Sequence, residues 1–114
     1  MFSRPKKQKQ VIIDRQILYI HNVIAEKCLS TPGCFDIASG NLERLYEQGM
    51  IRYGSYLLWQ GILEAREQPH VFKTLLLAED SRTAALRRKT IFGGILSEEE
   101  REAALTAYAA SELA

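Results

Sequence analysis

Apolar residues recur at helical spacing along most of the chain. Ile13, Ile17, Ile20, Ile24 and Cys28 stand at i, i+4, i+7, i+11 and i+15, one stripe of an amphipathic helix expected over residues 11–29. Leu18, Ala25 and Leu29 widen that stripe, and Tyr19 with Val23 form a lesser apolar patch opposite. The turn residues Ser30-Thr31-Pro32-Gly33 end the helix. A short second helix is expected over residues 41–48, capped by Ser39 or Asn41 and closed by Gly49 as a left-handed C′ residue, with Met50 folding back onto Leu45.

The densest apolar segment, "MIRYGSYLLWQGILEA" at residues 50–65, predicts a third helix over about 51–67, stopped by Pro69. Met50, Ile51, Gly54, Leu57, Leu58, Gly61, Ile62 and Ala65 share one sector, and Tyr56, Trp59 and Leu63 make a second. Apolar residues on two sides imply a central helix packed from both. Each glycine costs about 1 kcal/mol against alanine, which close approach of a neighbouring helix to Gly54 and Gly61 would offset.

A fourth helix opens at Pro69 with Val71, Phe72, Leu75 and Leu76 on its apolar face. Glu79-Asp80-Ser81 either breaks it, with Asp80 or Ser81 capping a fifth helix, or lies inside one helix running to Phe92. Gly93-Gly94 is a firm breaker. Ser97 and Glu100 form a capping box for a last helix reaching about Leu113, with Leu105, Tyr108 and Ala109 on one side. Strand signals are scarce. The pattern predicts an all-α fold: a compact single-domain bundle of five or six short helices around the 51–67 helix, occupying residues 11–114 behind a flexible basic tail at 1–10.

Composition narrows function. With 114 residues, 46% hydrophobic and 25% charged, the chain has the make-up of one ordinary globular domain. A net charge of +1 supplies no global field to attract nucleic acid or anionic lipid. No stretch approaches the roughly 20 uncharged residues that span a bilayer, and the basic N-terminus lacks a signal-peptide cleavage site. A cytoplasmic protein of bacterial type, without membrane contact, is expected.

Motifs for chemistry are few. Cys28 and Cys34 flank a turn with no second ligand pair, so two free thiols are expected rather than a metal site. His21 lies beside the first stripe, about 10 Å along the helix from Asp14, and reads as a partly buried structural histidine; His70 reads as solvated. Nucleotide, hydrolase and metalloprotease fingerprints are missing, and no cofactor is implied. In "RRKTIFGGILSEEE" a basic helix end precedes a Gly-Gly turn and a helix N-terminus, but the capping box and Glu98-Glu99 oppose a phosphate there. A local charge match across a flexible hinge is the plainer expectation.

These residues point to a small protein–protein interaction module, an adaptor, regulator or assembly subunit without catalytic activity, with itself as a homodimer among its partners. Tyr53, Tyr56, Trp59 and Leu63 are the expected partner interface, because aromatic residues concentrate at interface centres. The alternative is a nucleic-acid-binding regulator that contacts phosphates through Arg4, Lys6, Lys7 and Lys9 in the tail and Arg82, Arg87, Arg88 and Lys89 near Phe92.

Overall fold

The computed structural model describes the backbone of residues 4–113, with side chains described from Lys9 onward. Six helices follow one another among the described residues: α1 (Arg4–Ser30), α2 (Gly33–Glu47), α3 (Tyr53–Glu64), α4 (Pro69–Leu76), α5 (Ser81–Arg88) and α6 (Glu98–Leu113). The fold is the expected all-α bundle, with no strand among those residues.

The central element is α1 rather than the 51–67 segment. It packs against α2, α4, α5 and α6, whereas α3 packs chiefly on α2 and α4. The reason is the second apolar patch of α1: Tyr19 meets Tyr108 of α6 edge to face at 5.6 Å, while Ile20, Ile24, Ala25 and Cys28 are buried among the other helices. The helix also begins earlier than expected, because Arg4–Gln10 continue the helical backbone. At 1.5 Å per residue its 27 residues span about 40 Å, close to the 44 Å long axis of the molecule. Its first turns project beyond the bundle, leaving Val11, Ile12 and Ile13 exposed.

Likewise α2 starts at Gly33, eight residues before the expected start. Cys34, Phe35, Ala38 and Leu42 are its buried face, so neither Ser39 nor Asn41 caps it. Asn41 instead donates to the carbonyls of Ile91 and Gly93, at 2.9 and 3.1 Å, tying α2 to the segment between α5 and α6.

Punctuation follows the sequence closely. Gly49, at φ 71°, closes α2 with paired bonds from Gly49 N–H to the Tyr46 carbonyl and from Met50 N–H to the Leu45 carbonyl. The Met50 side chain, however, stands in solvent. Asp80 breaks the fourth helical run and caps α5, accepting the Thr83 N–H at 3.0 Å. The capping box closes in both directions: Glu100 accepts from Ser97 N–H at 2.8 Å, and Ser97 Oγ accepts from Glu100 N–H at 3.1 Å.

The core is aromatic at its centre. Phe35 packs edge-on against Phe72, Phe72 against Phe92, and Phe92 against Trp59. Ile91, Phe92 and Ile95, from the segment expected to be a hinge, are all buried. This segment is a hydrophobic plug, with Gly94 at φ 82° making the turn between its buried halves.

Candidate interaction surface

Helix α3 is packed from one side. Trp59, Ile62 and Leu63 are buried and Tyr56 is half-buried. The larger of the two sectors expected to be packed is divided: Ile62 and Ala65 are buried, but Leu57 is 46% exposed and Leu58 39%, with Met50 just before the helix at 62% and Tyr53 beside them at 60%. A Cβ built on Gly54 or Gly61 meets no atom within 4 Å. The expectation of an intramolecular neighbour against these glycines is therefore overturned. Buried side chains of α3 turn toward α2, α4 and Phe92, and among the described residues no helix covers the opposite side.

The four residues expected to form the partner interface are divided by this packing. Trp59 and Leu63 belong to the core and offer nothing to a partner. Tyr56 stacks on Tyr46 of α2, the two rings lying 4.2 Å apart, and Tyr53 lies near-parallel to Tyr56 at 6.5 Å. The Tyr56 hydroxyl donates to the Glu43 carboxylate at 2.8 Å and accepts from Gln60 Nε2 at 3.0 Å. That bond to Glu43 raises the phenol above its ordinary pKa.

Beside the exposed face lies an open groove of about 950 Å³ between α3 and α5. Leu57, Leu58 and Leu86 contribute its apolar surface, and Arg52, Arg82 and Lys89 its charge; no acidic residue lines it. Among the described residues these three cations make no ion pair. The sequence carried the signal for this surface in the spacing of Gly54, Leu57, Leu58 and Gly61, but not which side of the helix would be covered.

The basic residues singled out in the sequence do not act together. The side chains of Arg4, Lys6 and Lys7 lie outside the described residues. Lys9, Arg82 and Lys89 are exposed. Arg87 is buried and donates through Nη1 to the carbonyls of Leu76 and Ala78, at 2.8 and 2.7 Å, so it closes the C-terminal end of α4. Its Nε is the one buried side-chain polar atom without a partner among the described residues. Arg88 reaches across to α1 and binds Asp14 through two bonds of 2.8 and 2.7 Å, which hold the Asp14 carboxyl below its usual range. The acidic start of α6 meets Lys27 of α1 instead, with Lys27 Nζ 2.6 Å from Glu100. The expected match between the end of α5 and the start of α6 is replaced by two separate ties to α1.

His21 is buried, and both ring nitrogens are engaged. Nδ1 donates to the Ile17 carbonyl at 2.8 Å, because a carbonyl can only accept. Nε2 therefore accepts from the Thr90 hydroxyl at 2.7 Å, and Thr90 Oγ1 in turn accepts from Phe92 N–H at 3.0 Å. Burial pushes the imidazole pKa down to about 4, so the ring is neutral at pH 7. This chain of bonds anchors the Phe92 plug to α1 and leaves no ring nitrogen free. His70 is exposed. Cys28 and Cys34 are free buried thiols, and burial pushes the Cys28 pKa up to about 12. Among the described residues no three His, Cys, Asp or Glu side chains come together as a metal site, and no helix is long and apolar enough to cross a membrane.

No protein-family model, curated protein or solved structure matches this chain.

Proposed function

We propose that this chain is a small helical protein–protein interaction module, an adaptor, regulator or assembly subunit without catalytic activity of its own. Its docking surface is the outer face of α3 together with the α3–α5 groove. The observation that carries the reading is a helix whose two leucines, Leu57 and Leu58, stand exposed beside two bare glycines and next to the exposed Met50 and Tyr53. Contiguous apolar surface of this kind is what partner binding removes from water. The interface moves accordingly from Trp59 and Leu63 to Met50, Tyr53, Leu57 and Leu58.

The nucleic-acid reading is weaker. Arg87 and Arg88 spend their guanidinium groups on internal bonds, leaving Arg82 and Lys89 as the cations of the second basic cluster that make no ion pair among the described residues.

Leu58→Glu places a charge on the proposed surface without touching the core, and Ile37→Glu does the same on the exposed side of α2. Affinity capture from the source cells should retain partner protein with wild type and with Ile37→Glu, and lose it with Leu58→Glu. Identical captured sets for all three would refute the assignment of this surface, and capture of nucleic acid that depends on Arg82 and Lys89 would favour the alternative.

A further inference from the structure

We infer that the α3–α5 groove receives an acidic amphipathic helix of another protein, its apolar side laid on Leu58, Ala85 and Leu86 and its carboxylates on Arg82 and Lys89. The inference rests on the interaction reading above and states the chemistry of the partner.

Charge is the first support. Arg52, Arg82 and Lys89 line the groove, no Asp or Glu does, and none of the three makes an ion pair among the described residues. The asymmetry is local, because the whole chain carries only +1 from 15 basic and 14 acidic residues. Asp80, two residues before Arg82, is spent on α5 itself, where it accepts from the N–H and the hydroxyl of Thr83. Arg87 and Arg88, which follow on the same helix, turn away to the α4 carbonyls and to Asp14. A groove bordered by one sign of charge selects a partner of the opposite sign and speeds its arrival.

Spacing and shape are the second. Arg82, Ala85, Leu86 and Lys89 stand at i, i+3, i+4 and i+7 and all line the groove, so α5 presents one face with a cation at each end. At 1.5 Å per residue those cations are about 10 Å apart along the helix. Two carboxylates seven residues apart on a helix lying along α5 have the same separation. Gly54, Ser55 and Ala85 are small, and a Cβ on Gly54 meets no atom within 4 Å, so a docked backbone can come close. The half-exposed Leu58 supplies apolar surface beside them. Helical walls offer no strand edge. An extended occupant would bury unpaired N–H and C=O groups there, whereas a helix pairs its own.

Fluorescence anisotropy on the purified full chain tests the proposal with two designed helical peptides of about 16 residues. Both carry the same leucine stripe; at two flanking positions seven residues apart one has glutamate and the other lysine. Wild type should bind the glutamate peptide with a dissociation constant of about 50 μM or tighter, and the lysine peptide about tenfold more weakly or worse. Raising the salt from about 50 mM to about 500 mM should weaken the glutamate complex about tenfold. Leu58→Glu should weaken it as well. The Arg82→Glu, Lys89→Glu double variant should reverse the preference and favour the lysine peptide. That reversal cannot come from a folding defect.

Equal binding of the two peptides by wild type, or no binding of the glutamate peptide at about 1 mM, would overturn the proposal. So would a double variant that keeps the wild-type preference. A single-stranded oligonucleotide that binds more tightly than the glutamate peptide, and is lost with the double variant, would assign the groove to nucleic acid instead. If Leu58→Glu abolishes capture of a protein from the source cells while the double variant retains it, the interaction reading stands and the acidic helix falls.

Discussion

The Arg87 guanidinium lies 2.8 Å from the Leu76 carbonyl oxygen, eleven residues back in the chain, and this contact joins the end of α4 to the end of α5. A helix C-terminus carries unpaired carbonyls and the negative end of the dipole. A buried cation there satisfies both, and the carbonyl dipoles do for Arg87 what a carboxylate would otherwise have to do. Arg87→Met keeps the stem and removes the donors, so it should destabilise the fold by about 2–3 kcal/mol. Arg82→Met, at an exposed position, should stay within about 0.5 kcal/mol of wild type. Urea unfolding followed by circular dichroism separates the two; equal effects would contradict the capping role.

The burial of His21 makes stability depend on pH. Burial lowers the folded pKa to about 4 from an ordinary 6.5. Between those values the unfolded chain binds a proton that the folded chain does not, so stability rises with pH there. The full contribution is present above about pH 6.5, falls as the pH drops toward 4, and changes no further below that. The loss across the window should reach up to about 3 kcal/mol. Thermal unfolding of wild type and His21→Gln at pH 7 and pH 4.5 measures it. The variant is less stable at pH 7, but its midpoint should change less between the two pH values than that of wild type.

Bare glycines on an open helix face weaken a single copy. In the Leu58→Glu background, where the proposed contact is disrupted, Gly54→Ala and Gly61→Ala should each stabilise by about 0.5–1 kcal/mol. Destabilisation in that background would mean that a neighbour within the same copy lies against the face.

The thiols should be inert in the native state. Cys28 is buried with a pKa near 12, and Cys34 is buried beside it in the core. Reagents that require thiolate should therefore modify the folded protein slowly at pH 8 and quickly in denaturant. Rapid native labelling would place these side chains at the surface.

Much of the architecture was legible locally. The stripe from Ile17 to Cys28, the left-handed Gly49, the Asp80 cap and the Ser97–Glu100 box each depend on residues within a few turns, where spacing and hydrogen-bonding chemistry suffice. The start of α2 was hidden because Gly33 and Gly40 resemble breakers, although Phe35, Ala38, Leu42 and Leu45 continue a helical stripe. The groove was half visible: its apolar residues could be named, but not that they face out.

The sequence by itself determined that this chain is helical, where most helices end, and which residues are apolar enough to seek a covered position. Tertiary structure alone decided which apolar sides are covered. Helix α1 and α3 both carry apolar residues on two sides, and periodicity cannot rank them. The bundle has room for one element at its centre, and α1 takes it because it is long enough for four helices to pack along it. Once α1 is central, α3 can bury Trp59 and Leu63 or Leu57 and Leu58, but not both pairs. The large indole goes inward against Phe92, and the glycine side is left facing the solvent.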